Sequence, residues 1–183
     1  MHLLLRAHAG RGVRRLNAPA LTVAGIGSRH SSDDAIGLWL VEHLGELPAS
    51  VRRVQWEDAD ALSLAHLLLE TAGPLLIVDC AEMGLGGGEW RCFAATAEAN
   101  MKLIPRSRSV STHGLGLAEA LAIARQLGQS GVVNIFAVQP FELGLRPPTE
   151  NTLSEAMQAR LPQLLTALRQ NIDTLRKRMP EEA

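Results

Sequence analysis

Tyrosine is absent from the 183 residues, and lysine is nearly so: of the 18 Lys and Arg, only Lys102 and Lys177 are lysine. Both absences read as base-composition bias and carry no functional meaning. The two cysteines, Cys80 and Cys92, are too few for a disulfide framework, which points to a reducing, cytoplasmic compartment. They are also too far apart for a Cys-x-x-Cys redox pair. There is no excess of either charge. A formal net charge of -1 excludes the electrostatic footprint of a nucleic-acid or anionic-membrane binder. Long apolar runs are missing too. Stretches such as Leu75–Val78 fall far short of the roughly 20 residues a membrane span needs. What is present is 46% hydrophobic and 20% charged residues, a composition that buries a core and excludes disorder along the whole chain.

Residues 1–20 stand apart. They carry Arg6, Arg11, Arg14 and Arg15, and no acidic residue precedes Asp33. The apolar run Leu3–Leu5 is too short for a secretory signal, so 1–20 is expected to be a loosely attached basic extension. Residues 21–183 are expected to form a single domain.

From Leu21 the pattern alternates. Leu21–Ile26 reads as a buried strand with a tight turn at Gly25-Ile26-Gly27. Asp33 and Asp34 precede a helical spacing of Ile36, Leu40, Val41 and Leu44, where a helix dipole favours carboxylates. Val51–Trp56 reads as a strand and Asp60–Thr71 as a helix. Leu75–Val78 is the clearest buried strand, and a glycine-rich turn, Gly84–Gly88, leads to a return strand at Glu89–Phe93. Gly114–Leu127 reads as a helix, Val132–Val138 as a strand, and Asn151–Leu175 as a long helix disturbed at Pro162. Strands alternating with helices predict a three-layer α/β/α sandwich on a twisted, mainly parallel sheet of about five strands.

In such sheets ligands gather beyond the carboxyl ends of the strands. Polar groups fall there in three places: Ser28–Asp34, Asp79, and Ser109–His113. Two carboxylates and an imidazole, Asp34, Asp79 and His113, can hold a borderline divalent cation and leave positions open. Asp79, ending an apolar run, is the most telling, because an ionised carboxylate there needs a partner. Structural roles account for each alone: a helix cap for Asp33 or Asp34, loop amides for Asp79, a cap for His113. His43 and His66 fall on solvated helix faces. A dinucleotide fingerprint fails at His30, where its third glycine should stand. No phosphate loop and no Gly-x-Ser-x-Gly elbow occur, and no nucleophilic serine or cysteine stands out.

Five segments in order resemble one family. Ala24-Gly25-Ile26-Gly27-Ser28 with Ser32-Asp33-Asp34-Ala35-Ile36-Gly37 resembles the opening motif of the nickel–iron hydrogenase maturation endopeptidases. Leu75-Leu76-Ile77-Val78-Asp79 with Glu82-Met83-Gly84-Leu85 is similar to their central strand and loop, closest to the branch serving formate hydrogenlyase. Ser111-Thr112-His113-Gly114-Leu115 resembles their histidine segment, Phe136-Ala137-Val138-Gln139-Pro140 a strand ending in Gln-Pro, and Leu153-Ser154-Glu155-Ala156 the start of the last helix.

The resemblance implies removal of a short C-terminal peptide from the hydrogenase large-subunit precursor after nickel insertion. It implies that Asp34, Asp79 and His113 engage nickel supplied by that precursor and not permanently bound. It also implies a substrate-recognition role for the loop after the second strand, here Asp58-Ala59-Asp60-Ala61, with Asp58 and Asp60 as its acidic contacts. The family's Asp-Gly-Gly-Thr is replaced there, its usual asparagine is Ser28, and its Pro-Gly after the central strand gives way to Gly86-Gly87-Gly88. The altered loop motivates a competing reading, a non-catalytic maturation chaperone or metal-site binding protein of the same fold.

Overall fold

A computed structural model describes residues 21–95, 116–145 and 153–178. His113 and the basic segment 1–20 lie outside them. Five strands, β1 (Leu21–Gly27), β2 (Val51–Glu57), β3 (Leu75–Cys80), β4 (Trp90–Ala94) and β5 (Val133–Val138), form one sheet in the order β2-β1-β3-β5-β4. All pairings are parallel except β4 with β5, which makes β4 the expected return strand.

The sheet is buried on both faces because its central strands are apolar at consecutive positions. In β3, Leu76 and Val78 face one layer while Leu75 and Ile77 face the other. The first layer holds α1 (Ile36–Glu42) and α4 (Glu155–Lys177). The second holds α2 (Ala61–Glu70) and α3 (Leu117–Gln126). Each helix buries one stripe. In α2 it is Ala61, Leu64, Ala65 and Leu68, and in α4 it runs Met157, Leu161, Leu164, Leu168 and Ile172. This is the expected α/β/α sandwich.

Two details depart from expectation. Pro162 does not break the last helix, which runs unbroken from Glu155 to Lys177. The ring lies on the exposed side, where water can satisfy the carbonyl that its missing N–H releases. The carboxylates before α1 cap no helix. Asp33 and Asp34 lie in a 3-10 turn, Ser32–Ala35, and the residue before α1 is Ala35, with no side-chain cap.

Candidate metal-recognition site

The sheet changes direction of growth between β1 and β3: from β1 the chain goes to β2 on one side, then crosses to β3 on the other. The crevice beyond the carboxyl ends of these two strands is the natural ligand position. Gly27 ends β1 there, and Asp79 sits near the end of β3.

Glycines bring the 3-10 turn into this crevice. A Cβ on Gly25 would collide with the carbonyl of Gly37, and one on Gly37 with the carbonyls of Val78 and Ile26. The first turn of α1 therefore lies directly on the backbones of β1 and β3. Gly27, at φ +141, leaves the strand in a conformation that only glycine adopts easily. Arg29 then anchors the loop, reaching Glu42 at 2.9 Å and Glu57 at 3.4 Å.

The result sets Asp34 beside Asp79. The Ser28 N–H donates to Asp34 Oδ2 at 2.8 Å. Burial nonetheless pushes Asp34 up to about 6, and the charge of Asp58 adds to the shift. Burial pushes Asp79 well above the usual carboxylate range, the charge of Asp34 raises it further, and the Cys80 N–H opposes. Two carboxyl groups thus share a desolvated site in which the charge of Asp34 opposes ionisation of Asp79. A divalent cation there would replace protons and relieve the repulsion.

Among the described residues, no group of three or more His, Cys, Asp or Glu side chains is arranged to hold an ion. His113 lies outside them. The loop aspartates divide. Asp58 is exposed, takes the left-handed φ of +50, and sits close enough to repel Asp34. Asp60 caps α2, its Oδ1 accepting from the Ser63 N–H at 2.8 Å.

Two supporting residues stand in the sequence only as parts of motifs. Gln139 turns its Oε1 to the N–H groups of Met83 at 2.6 Å and Leu85 at 3.2 Å, pinning the loop that follows Asp79. Ser154 caps α4, accepting from the Met157 N–H at 3.1 Å, as a serine ahead of an apolar helical stripe foretells. An open groove of about 370 Å³, lined in part by Leu85, Trp90, Arg160 and Leu164, lies beside β4 and contains neither carboxylate.

Neither cysteine is a poised nucleophile. Burial pushes both thiols up, Cys80 well up and further so by the charge of Asp79. Iodoacetamide near neutral pH is expected to leave both unmodified in the folded protein; fast labelling of Cys80 would show a thiolate that this environment forbids.

The hydrogenase maturation protease (HycI) family model matches residues 59–171. The fold is similar to that of the hydrogenase maturating endopeptidase HybD from E. coli, at 24% identity and TM-score 0.63 over 82% of this chain and 93% of that one. An endopeptidase from Escherichia coli solved in solution is 27% identical, with TM-score 0.58 and coverages of 82% and 93%. The [NiFe] hydrogenase maturation protease HycI from Thermococcus kodakarensis KOD1 is 20% identical, with TM-score 0.59 and coverages of 83% and 91%. No curated protein sequence matches. With the family model covering well over half of it, and the same fold around its carboxylate crevice, the chain belongs to the hydrogenase maturation protease family and is a peptidase of hydrogenase maturation.

Proposed function

We propose that this peptidase removes the C-terminal peptide from the nickel-loaded large-subunit precursor of a nickel–iron hydrogenase, in the cytoplasm. The observation that carries the reading is the pairing of Asp34 and Asp79 at the crevice between β1 and β3. Both carboxyl groups resist ionisation when nothing positive faces them, so the site favours a ligand that brings its own cation. Nickel already held by the precursor is such a ligand, and His113 would add an imidazole lone pair to the two carboxylates. The ion can polarise the scissile carbonyl or activate water. The exposure of Asp58 supports it as the loop carboxylate that meets the substrate; Asp60 already serves α2. No described helix is long and apolar enough to cross a membrane.

The test is to incubate the protein with nickel-loaded and nickel-free precursor and follow precursor size. Only the loaded form should be shortened. His113→Ala should block the reaction. His43→Ala and His66→Ala should not, because both rings are exposed: His43 stacks on Trp39 at 3.8 Å, and His66 Nε2 lies 3.2 Å from Glu70. Stable capture of uncut, loaded precursor would replace the protease with a holding protein.

A further inference from the structure

The 3-10 turn carries two adjacent aspartates with opposite assignments. Asp34 turns to the crevice. Asp33 is fully buried, at 0% exposure, and its oxygens collect four donors. Oδ1 accepts from the Ser154 N–H at 2.8 Å. Oδ2 accepts from the Phe141 N–H at 2.9 Å, the Glu142 N–H at 3.1 Å and the Ser154 hydroxyl at 3.0 Å. One side chain thereby joins the turn, the chain leaving β5, and the N-terminus of α4. Ser32 reinforces the junction, its hydroxyl donating to Glu142 Oε1 at 3.0 Å.

The turn needs this restraint. Ser32 holds the left-handed φ of +46, which a non-glycine residue keeps only when its surroundings impose it. Asp34, two residues on, is pushed by the charge of Asp58, with one backbone N–H from Ser28 holding it from the front. Asp33 pulls on the same turn from behind through four hydrogen bonds.

We propose that Asp33 is the positioning residue of the site: it holds Asp34 in the crevice and ties that position to the loop after β5 and to the start of α4. The inference rests on the proposed function for its kinetic consequence, but not for its structural one.

Asp33→Asn, in the full chain, keeps the volume but turns an NH2 group toward donors. Two readouts follow. In amide exchange, the Ser28 N–H, which reports where Asp34 stands, should exchange at least ~10-fold faster, while Ile77 in the middle of β3 is unchanged. In cleavage of nickel-loaded precursor, kcat should fall about 10–100-fold with KM little altered, the range typical for losing a group that orients a metal ligand. The control is Leu121→Ala, fully buried in the α2–α3 layer. It lowers global stability away from the site and should leave kcat per folded molecule and Ser28 exchange relative to Ile77 as they are.

If Asp33→Asn behaves like Leu121→Ala in both readouts, Asp33 is a structural residue and the proposal is overturned. Should Asp33→Asn not fold, Ser154→Ala, which removes one of the four bonds, must shift both readouts in the same direction by a smaller factor; no shift overturns it. If the wild-type protein cuts no loaded precursor, the proposed function fails, and Ser28 exchange alone decides whether Asp33 positions Asp34.

Discussion

Asp79→Asn and Asp34→Asn are each expected to abolish precursor processing and to make the protein more stable. Loss of activity should exceed ~100-fold, because on the proposed function each variant removes a carboxylate that meets the metal and not merely a group behind it. The gain in stability follows from linkage. Asp34 is raised from its unfolded value of 3.8 to about 6 in the folded protein. Between those values the folded state holds a proton that the unfolded state has released, so stability falls as pH rises through this window. The stabilising contribution is complete below pH 3.8, gone above about 6, and the ionised side chain is a burden from there upward. For Asp79, raised well above its ordinary value, the sign is the same: stability falls as pH rises from the unfolded value through the folded one. Asparagine carries no charge at any pH. At slightly alkaline pH each variant should therefore be more stable than wild type, Asp34→Asn by about 1–3 kcal/mol or several degrees in Tm, and the gain should vanish near pH 4. Urea unfolding across pH, beside the cleavage assay, checks both halves. A loss of stability at alkaline pH would show that the carboxylates are well solvated or already paired with a cation in the free protein.

Such a site is destabilising by construction. Two desolvated carboxyl groups oppose folding until something positive arrives, and on the proposed function the same environment makes the site receptive to a metal-bearing substrate. The rest of the local architecture reads as restraint on that repulsion. Arg29 ties the loop after β1 to Glu42 and Glu57, Gln139 fixes the loop after Asp79, and Asp33 fixes the turn from behind.

Much of the frame was legible from residue pattern. Leu75–Val78 announced a strand buried on both faces, the helical stripes fell where the layers need them, and Asp79 stood out as a carboxylate ending an apolar run. The separate roles of Asp33 and Asp34 were not legible. Adjacent and identical, they diverge only because a 3-10 turn with a left-handed Ser32 sends them to opposite sides. The partners of Asp33 also lie 108 to 121 positions away, beyond any local pattern. Gln139 was visible as part of a Gln-Pro motif, but its amide oxygen serves N–H groups 54 and 56 positions earlier. The pair Asp58 and Asp60 looked like one acidic loop, and helix capping separated them. Gly25 looks in sequence like part of a turn, yet it lies inside β1 and is glycine because α1 rests on it.

That close approach gives the second large expected effect. Gly37→Ala should be severely destabilising, although the position lies in the first turn of a helix. On propensity alone, alanine in place of glycine would stabilise an exposed helix by about 1 kcal/mol. Here the added methyl would meet the carbonyl oxygens of Val78 and Ile26, and both are strand backbone that cannot turn aside as a side chain would. Relief requires lifting α1 off β1 and β3, which opens the layer around Ile36, Leu40 and Val41. The expected loss is about 3 kcal/mol or more, at the upper end of what overpacking costs. Gly84→Ala provides the contrast: nothing stands within 4 Å of its new methyl, and only its φ of +69 is unfavourable. That change should cost only about 1 kcal/mol, the usual penalty for a left-handed residue bearing a Cβ. Processing should also separate the two variants. Val78 immediately precedes Asp79, and Gly37 follows Asp34 by three residues, so lifting the helix draws the two carboxylates apart and activity per folded molecule should fall as well. A Gly37→Ala protein as stable as wild type or more so in urea would mean that α1 does not rest on the strands, and the account of how Asp34 reaches Asp79 would have to be abandoned.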